Sequence, residues 1–520
     1  MFSKKYRMFL GKAIFVSIMS MLIVVASGCA PVIKNFTPER GIEGTEVTIE
    51  GKRFGDTADE NTVKFGDATA TDISVPDKNK IVAKVPTGAE TGLISVTVSG
   101  RTGKSRNSFI VVGPSTSKWT FMVYLDGDNN LESAGIDDFL EMAAVGSSDE
   151  VNIVVQMDRA PGHDDTYGDW TGTKRFLIQN GDTPSVAAVQ NLGEENMGDP
   201  AVLQDFVEWA VATYPADHYA LSIWDHGGGW RVLREKMIEE VRAVTSRGEP
   251  DWGIARAVAW DDTDGDKLYL REVQQALEAA KPRILDRSGT LVKLDVVGFD
   301  ACLMGMVEVA YALRNVANYV VGSEDLEPGD GWPYDTILGD LVATSSFSAE
   351  DVADLIVTKY GNAYGSGITQ SSVDVAELSN VCNKIDALTN RMNTEWASLQ
   401  AARANTFQYH PYGASYWGID LWDFADKVYN QVTSTEIKTA ALQLRNAIDD
   451  FVTNERHSPD MAGSHGVAIY FPPTQTEFNN DPDHTGYEES NTYMPVDFVK
   501  YHRWDNWLQD YYTNILLSVE

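Results

Sequence analysis

A chain of 520 residues is long enough for two or three domains with sizeable cores. Its 42 Lys and Arg stand against 76 Asp and Glu, and the formal net charge of −34 repels nucleic acid and attracts basic peptides. With three cysteines in all, Cys29, Cys302 and Cys382, a disulfide framework is excluded.

Residues 1–28 carry Lys4, Lys5, Arg7 and Lys12 with no acid, then an apolar run over 13–25, which is the pattern of a secretory signal peptide. Ala26, Ser27, Gly28 and Cys29 resemble the bacterial lipoprotein box. That resemblance implies export, acylation of Cys29 and a lipid anchor in the bacterial membrane or at the cell surface. Removing the leader takes away four positive charges, so the net charge moves from −34 to −38.

Residues 29–113 read as a small β-sandwich. Short alternating strands at 46–50, 62–65, 81–85 and 94–98 are separated by Gly, Asp and Pro turns. The stretches at 31–55, 61–70 and 85–100 resemble the immunoglobulin-like module called TIG or IPT, found on secreted and cell-surface proteins. No catalytic constellation falls in it, so it is expected to be a spacer or an interaction module. Residues 114–118 read as a linker to a second domain over 119–520.

That domain opens with apolar strands at 120–125 and 152–157, alternating with helical patterns at 202–212 and 270–280. The alternation predicts an α/β domain with a largely parallel sheet covered on both faces. Two acidic clusters follow strands: Asp126, Asp128 and Asn130, then Asp262, Asp264 and Asp266. Neither is an EF-hand, because Leu131 and Lys267 stand where the loop needs glycine, and Asp126 and Asp128 read first as a solvated turn. The eight histidines show no zinc-helix spacing, and no GxSxG elbow is present.

Two further stretches carry the chemistry. An apolar strand at 219–224 runs into Asp225, His226 and three glycines, and a second at 294–299 runs into Asp300, Ala301 and Cys302. Neighbouring parallel strands bring their ends together, so a general base and a thiol would meet there. Gly227 to Gly229 allow close backbone approach to a carbonyl, a property of oxyanion holes. Apolar residues at helical spacing beyond Cys302 predict that it opens a helix whose dipole favours the thiolate. A buried structural cysteine and a turn histidine are the alternatives. His465, before an apolar strand, is a rival base lacking the Asp-His-Gly context, and Cys382 reads as a core residue of a helix.

The blocks at 225–230 (DHGGGW) and 299–305 (FDACLMG), with those at 119–132, 260–277 and 323–335, resemble the clostripain family of cysteine peptidases. The resemblance implies a caspase-like fold, His226 as base, Cys302 as nucleophile, and the N–H groups of Gly227 and Cys302 as oxyanion hole. It also implies an acidic primary pocket at Asp300, aided by Asp325 or Asp330, selecting Arg or Lys before the scissile bond of a peptide or protein substrate. Asp300 as the cap of the following helix is the alternative. Relatives can be activated by loop cutting and can depend on calcium. The basic stretch 231–256 is therefore a candidate for self-cleavage, with Arg247 as the exposed site, and a weak calcium site at Asp126 and Asp128 stays open. From a different class comes a catalytically silent surface lipoprotein that acts through its immunoglobulin-like module.

Overall fold

The computed structural model describes residues 30–38, 40–41, 43–111, 117–185, 188–230, 258–287, 289–409, 416–481, 483–489 and 496–517. The leader, Cys29 and the 231–256 stretch with Arg247 lie outside the described residues. No helix among the described residues is long and apolar enough to cross a membrane.

The chain divides into two compact units. In the N-terminal unit one antiparallel sheet orders Val32–Thr37, Glu46–Lys52, Lys80–Lys84 and Ile73–Asp77, and a second pairs Arg101–Val111, Gly92–Val98, Asn61–Phe65 and Ala68–Thr69. Alternation decides the core: Val47, Ile49 and Ile81 from one sheet and Val63, Phe65, Ile94 and Val96 from the other are fully buried, while most of their neighbours along each strand, such as Glu46, Thr48, Thr62 and Lys64, are polar.

The larger unit is built on a nine-stranded sheet. Its strands are β1 (Trp119–Gly127), β2 (Val151–Arg159), β3 (Thr173–Leu177), β4 (Gln190–Gly193), β5 (His218–Trp224), β6 (Leu294–Asp300), β7 (Ala317–Gly322), β8 (Thr369–Asp374) and β9 (Val452–His457). Five run parallel in the order β2-β1-β5-β6-β7, as the α/β reading requires. Antiparallel pairs extend both edges, β3 and β4 beyond β2, and β8 and β9 beyond β7.

Both faces of the sheet are covered, which is why β1 reads as a continuous apolar run instead of an alternating one. Met122 and Tyr124 face one core, with helices α2 (Pro200–Thr213), α3 (Leu270–Ala280) and α4 (Val307–Leu313); Phe121, Val123 and Leu125 face the other, with α1 (Glu132–Val145), α5 (Tyr334–Ala343) and α6 (Ala349–Ala363). The helices begin where local chemistry lets them. Asp199 caps α2 by accepting from the Ala201 N–H, with Pro200 in the first turn, and α3 buries Leu270, Val273, Leu277 and Ala280 along one stripe. The C-terminal aromatics pack as core: Phe471 meets Trp504, Trp507 and Tyr511 edge-on at 5.1–5.6 Å between ring centres.

Candidate active site

Register fixes the geometry. Trp224 of β5 pairs with Asp300 of β6, so the residues two further along each strand, His226 and Cys302, emerge at the same carboxyl edge. The Asp225 N–H donates to the Asp300 carbonyl at 3.2 Å and carries the strand pairing one step past the sheet. Beyond it, Gly227 lies against the Cys302 backbone: a Cβ there would stand 2.1 Å from the Cys302 carbonyl oxygen and 2.6 Å from its nitrogen. Only glycine permits that approach. Neither the Gly227 nor the Cys302 N–H donates to another described residue's backbone or side chain.

His226 is part-exposed, edge-on to Trp260 at 6.0 Å between ring centres, with Nε2 3.1 Å from Asn130 Oδ1. With Nε2–H donating to that amide oxygen, Nδ1 keeps a free lone pair. Crowding around the ring disfavours imidazolium and pushes the pKa down to about 4. Asn130, placed by the sequence in an acidic cluster, is thus the residue that orients the imidazole, and its nearness to His226 comes only from the pairing of β1 with β5.

Cys302 departs from expectation. It does not open a helix: residues 301–303 form a turn, Leu303 takes φ +67°, and α4 begins at Val307. The thiol therefore gains nothing from a helix dipole. Part of the residue reaches solvent, yet its packed surroundings push the pKa up to about 12, while Sγ accepts the Glu327 N–H at 3.2 Å. No hydrogen bond joins Cys302 to His226 among the described residues. At neutral pH the pair is a thiol and a neutral imidazole.

Beside the thiol lies a cluster of buried acids. Asp300 is 4 % exposed, accepts the Trp332 N–H at 3.1 Å, and has its pKa pushed up to about 7 by burial. Burial first, and then Asp300 itself, raises the pKa values of Glu327 and Asp138 well above the carboxylate range. Asp138 accepts from the Trp224 indole at 2.5 Å, and Glu327 from Gln370 at 3.2 Å. Gly331, at φ +60°, sits with its Cα facing both acids; a Cβ would meet the Asp300 oxygens at 3.1 Å and Asp138 Oδ2 at 3.2 Å. Asp300 caps no helix. Of the other expected acids, Asp325 is buried with Oδ1 accepting the Leu326 N–H at 2.8 Å, and Asp330 is exposed. Sequence reasoning missed Glu327 and Asp138, although Glu327 lies within the 323–335 block. His465 pairs with Asp420 at 3.2 Å and stacks on Trp422 at 4.2 Å, and Cys382 is fully buried.

The sequence model of the "Clostripain family" matches residues 123–514. The chain belongs to the clostripain family. An "IPT/TIG domain" model matches residues 31–112. Clostripain of Hathewaya histolytica is 29% identical over 279 residues, 49% of this chain and 46% of that protein, so the chain spans about half the length of the curated relative it matches. Among solved structures, a secreted C11 cysteine protease from Bacteroides thetaiotaomicron with an irreversible peptide inhibitor superposes with TM-score 0.51 at 21% identity, over 76% of this chain and 99% of that one. An inactive zymogen C11 protease from Parabacteroides distasonis gives TM-score 0.51 at 20% identity, over 77% and 100%. These neighbours share the caspase-like fold expected from the five sequence blocks.

In this clostripain-family chain the turn after β1 is not solvated. Asp126 and Asp128 are fully buried because the hairpin of Val258–Asp261 and Asp266–Leu268 folds over them. The Asp262 N–H donates to the Asp128 carbonyl at 2.8 Å and the Thr263 N–H to Asp128 Oδ1 at 3.2 Å. Asn129 bridges the same turn to Asp225 Oδ1 (3.1 Å) and the Trp260 carbonyl (2.9 Å).

Proposed function

We propose that the protein is an exported cysteine endopeptidase, lipid-anchored through Cys29, that cleaves after Arg or Lys with His226 as base and Cys302 as nucleophile. The approach of Gly227 to the Cys302 backbone, with two uncommitted N–H groups beside the thiol, carries this reading. The neutral thiol and imidazole define the first step: His226 Nδ1 takes the proton from Sγ as sulfur attacks the peptide carbonyl carbon. The carbonyl π pair moves to oxygen, and the Gly227 and Cys302 N–H groups hold the oxyanion. As the tetrahedral centre collapses, imidazolium gives its proton to the leaving amine, and water, activated by the same histidine, releases the acid from the thioester.

The pocket supports basic specificity. Asp300, Glu327 and Asp138 have no described cationic partner, and a guanidinium or ammonium between them would compensate their burial, with paired Arg geometry favoured. Asp330 would act at the pocket mouth; Asp325 would support the loop. Self-cleavage after Arg247 within 231–256 completes the proposal, tested by intact mass of wild type and Cys302→Ala. A single uncut chain in both would remove it. The activity is tested with fluorogenic peptides ending in Arg, Lys, Asp or Leu, with Cys302→Ala as control. Turnover of Arg or Lys peptides that is lost in the variant is expected. Silence on all four after deliberate cutting of 231–256 would favour a surface-binding lipoprotein acting through its TIG domain.

A further inference from the structure

We propose that Asp225 is a positioning residue that sets the imidazole of His226 through Asn129 and Trp260, a role that rests on the reading of His226 as the general base. The His226 ring has a hydrogen-bond partner, Asn130 Oδ1 at 3.1 Å from Nε2, and an aromatic neighbour, Trp260, edge-on at 6.0 Å between ring centres. Both lead back to one carboxylate. Asp225 Oδ1 accepts from Asn129 Nδ2 at 3.1 Å, and Oδ2 accepts the Trp260 N–H.

A buried carboxylate that accepts hydrogen bonds is ordinarily part of the fold and nothing more. The place of its donors sets Asp225 apart. It is 4 % exposed and lies directly between Trp224, the last residue of β5, and His226. Asn129 is buried as well and immediately precedes Asn130 in the turn after β1. Its side chain closes a ring: Nδ2 donates also to the Trp260 carbonyl at 2.9 Å, and Oδ1 accepts the Leu131 N–H at 2.7 Å, which fixes the backbone on either side of Asn130. The turn that carries Asn130 and the hairpin that carries Trp260 thus reach the histidine through one shared pair of side chains, Asp225 and Asn129.

The chemistry of the strut requires a carboxylate. Asp225 faces two N–H donors, one on each oxygen, and a carboxylate offers acceptors at both. An amide in the same shape would turn its NH2 group on either Asn129 or Trp260, and one arm of the strut would open. The consequence falls on the base. His226 and Cys302 share no hydrogen bond at rest, so proton transfer depends on where the ring is held, and a displacement of about 1 Å costs about 100-fold in rate. Asp225 takes no proton in this scheme. It ties turn and hairpin together, and without it the two contacts of the imidazole move independently.

The test is steady-state kinetics of the full-length chain on a fluorogenic Arg peptide, alongside thermal melting, for wild type, Asp225→Asn, Asp225→Ala, Asn130→Ala, the double variant of Asp225→Asn with Asn130→Ala, and His226→Ala. Asp225→Asn keeps the shape of the side chain and carries the test where the alanine variant fails to fold. Its kcat should fall about tenfold or more with KM within about twofold of wild type. The acid limb of kcat/KM should move from near pH 4 towards 6.5 as the loosened ring gains water, a shift that a purely structural role would not produce. Asn130→Ala, at an exposed position, should do the same, and the double variant should be within about twofold of the slower single one. Wild-type kcat in Asp225→Asn beside a silent His226→Ala would overturn the proposal and leave the base in place. So would an acid limb that stays near pH 4 in either single variant, or losses that multiply in the double one. Silence of the wild type, or wild-type turnover in His226→Ala, would remove the base itself and this role with it.

Discussion

Gly227 touches the Cys302 backbone so closely that a single added methyl would stand 2.1 Å from the cysteine carbonyl oxygen. Gly227→Ala must therefore push the β5 loop away from the thiol and displace the N–H proposed as the first oxyanion donor. We expect turnover of Arg peptides to fall about 100-fold or more, with a stability loss of about 1–3 kcal/mol from overpacking. Kinetics and thermal melting of the variant check this; wild-type turnover would show that the strand ends do not need to meet.

The pH response follows from a pair that is neutral at rest. His226 has its pKa lowered from the ordinary 6.5 to about 4, so the acid limb of kcat/KM should lie near pH 4. Between pH 6.5 and 4 the unfolded state binds the extra proton, so this group's contribution to stability falls as pH drops through that window. Cys302, raised to about 12, should be alkylated by iodoacetamide at a rate that climbs about tenfold per pH unit from pH 6 to 10. A plateau near pH 7, read by mass spectrometry on the Cys302 peptide, would reveal a thiolate–imidazolium pair instead.

In the proposed pocket Asp300 would couple specificity to stability. Its folded-state pKa of about 7 lies above the unfolded value, so its favourable contribution is complete below about pH 4 and is lost as pH rises through 7. Asp300→Asn removes that ionisation, and its Tm relative to wild type should increase from pH 5 to pH 8. The same variant should lose about 30-fold or more in kcat/KM on Arg peptides and little on Leu peptides. Equal losses on both would remove Asp300 from the pocket.

Arg159, fully buried, pairs with Glu132 and also donates to the carbonyls of Thr166 (3.2 Å) and Asp164 (2.8 Å). Glu132→Ala leaves that guanidinium without its counter-charge and should cost about 3–5 kcal/mol, measured by denaturant melting. A loss below about 1 kcal/mol would mean that the pair behaves as a surface one.

The parallel centre of the sheet was legible because strands buried on both faces are written as unbroken apolar runs, as at 120–125 and 294–299. The edge strands β3, β4, β8 and β9 were not: Thr173–Leu177 and Val452–His457 are short, polar and antiparallel, and without a covered outer neighbour they lack that signal. His226 and Cys302 stood out because each ends such a run. Asn130, Asp138 and Glu327 did not, since their closeness to the site arises from register and helix packing across many residues. The helix expected at Cys302 failed because apolar spacing marks the buried face of α4 but not its first turn, which Leu303 and Gly305 postpone to Val307.

β5 and β6 are the fifth and sixth of nine strands in the sheet order, so both are hydrogen-bonded on either side and neither is an edge. Fraying begins at edges and termini, and the centre opens only with the whole domain. The amides of 220–224 and 296–300 should accordingly be the last to take up deuterium. The proposed reacting groups thus hang from the slowest-opening part of the molecule, and Asn130, which meets His226, sits on the turn just beyond the neighbouring strand β1.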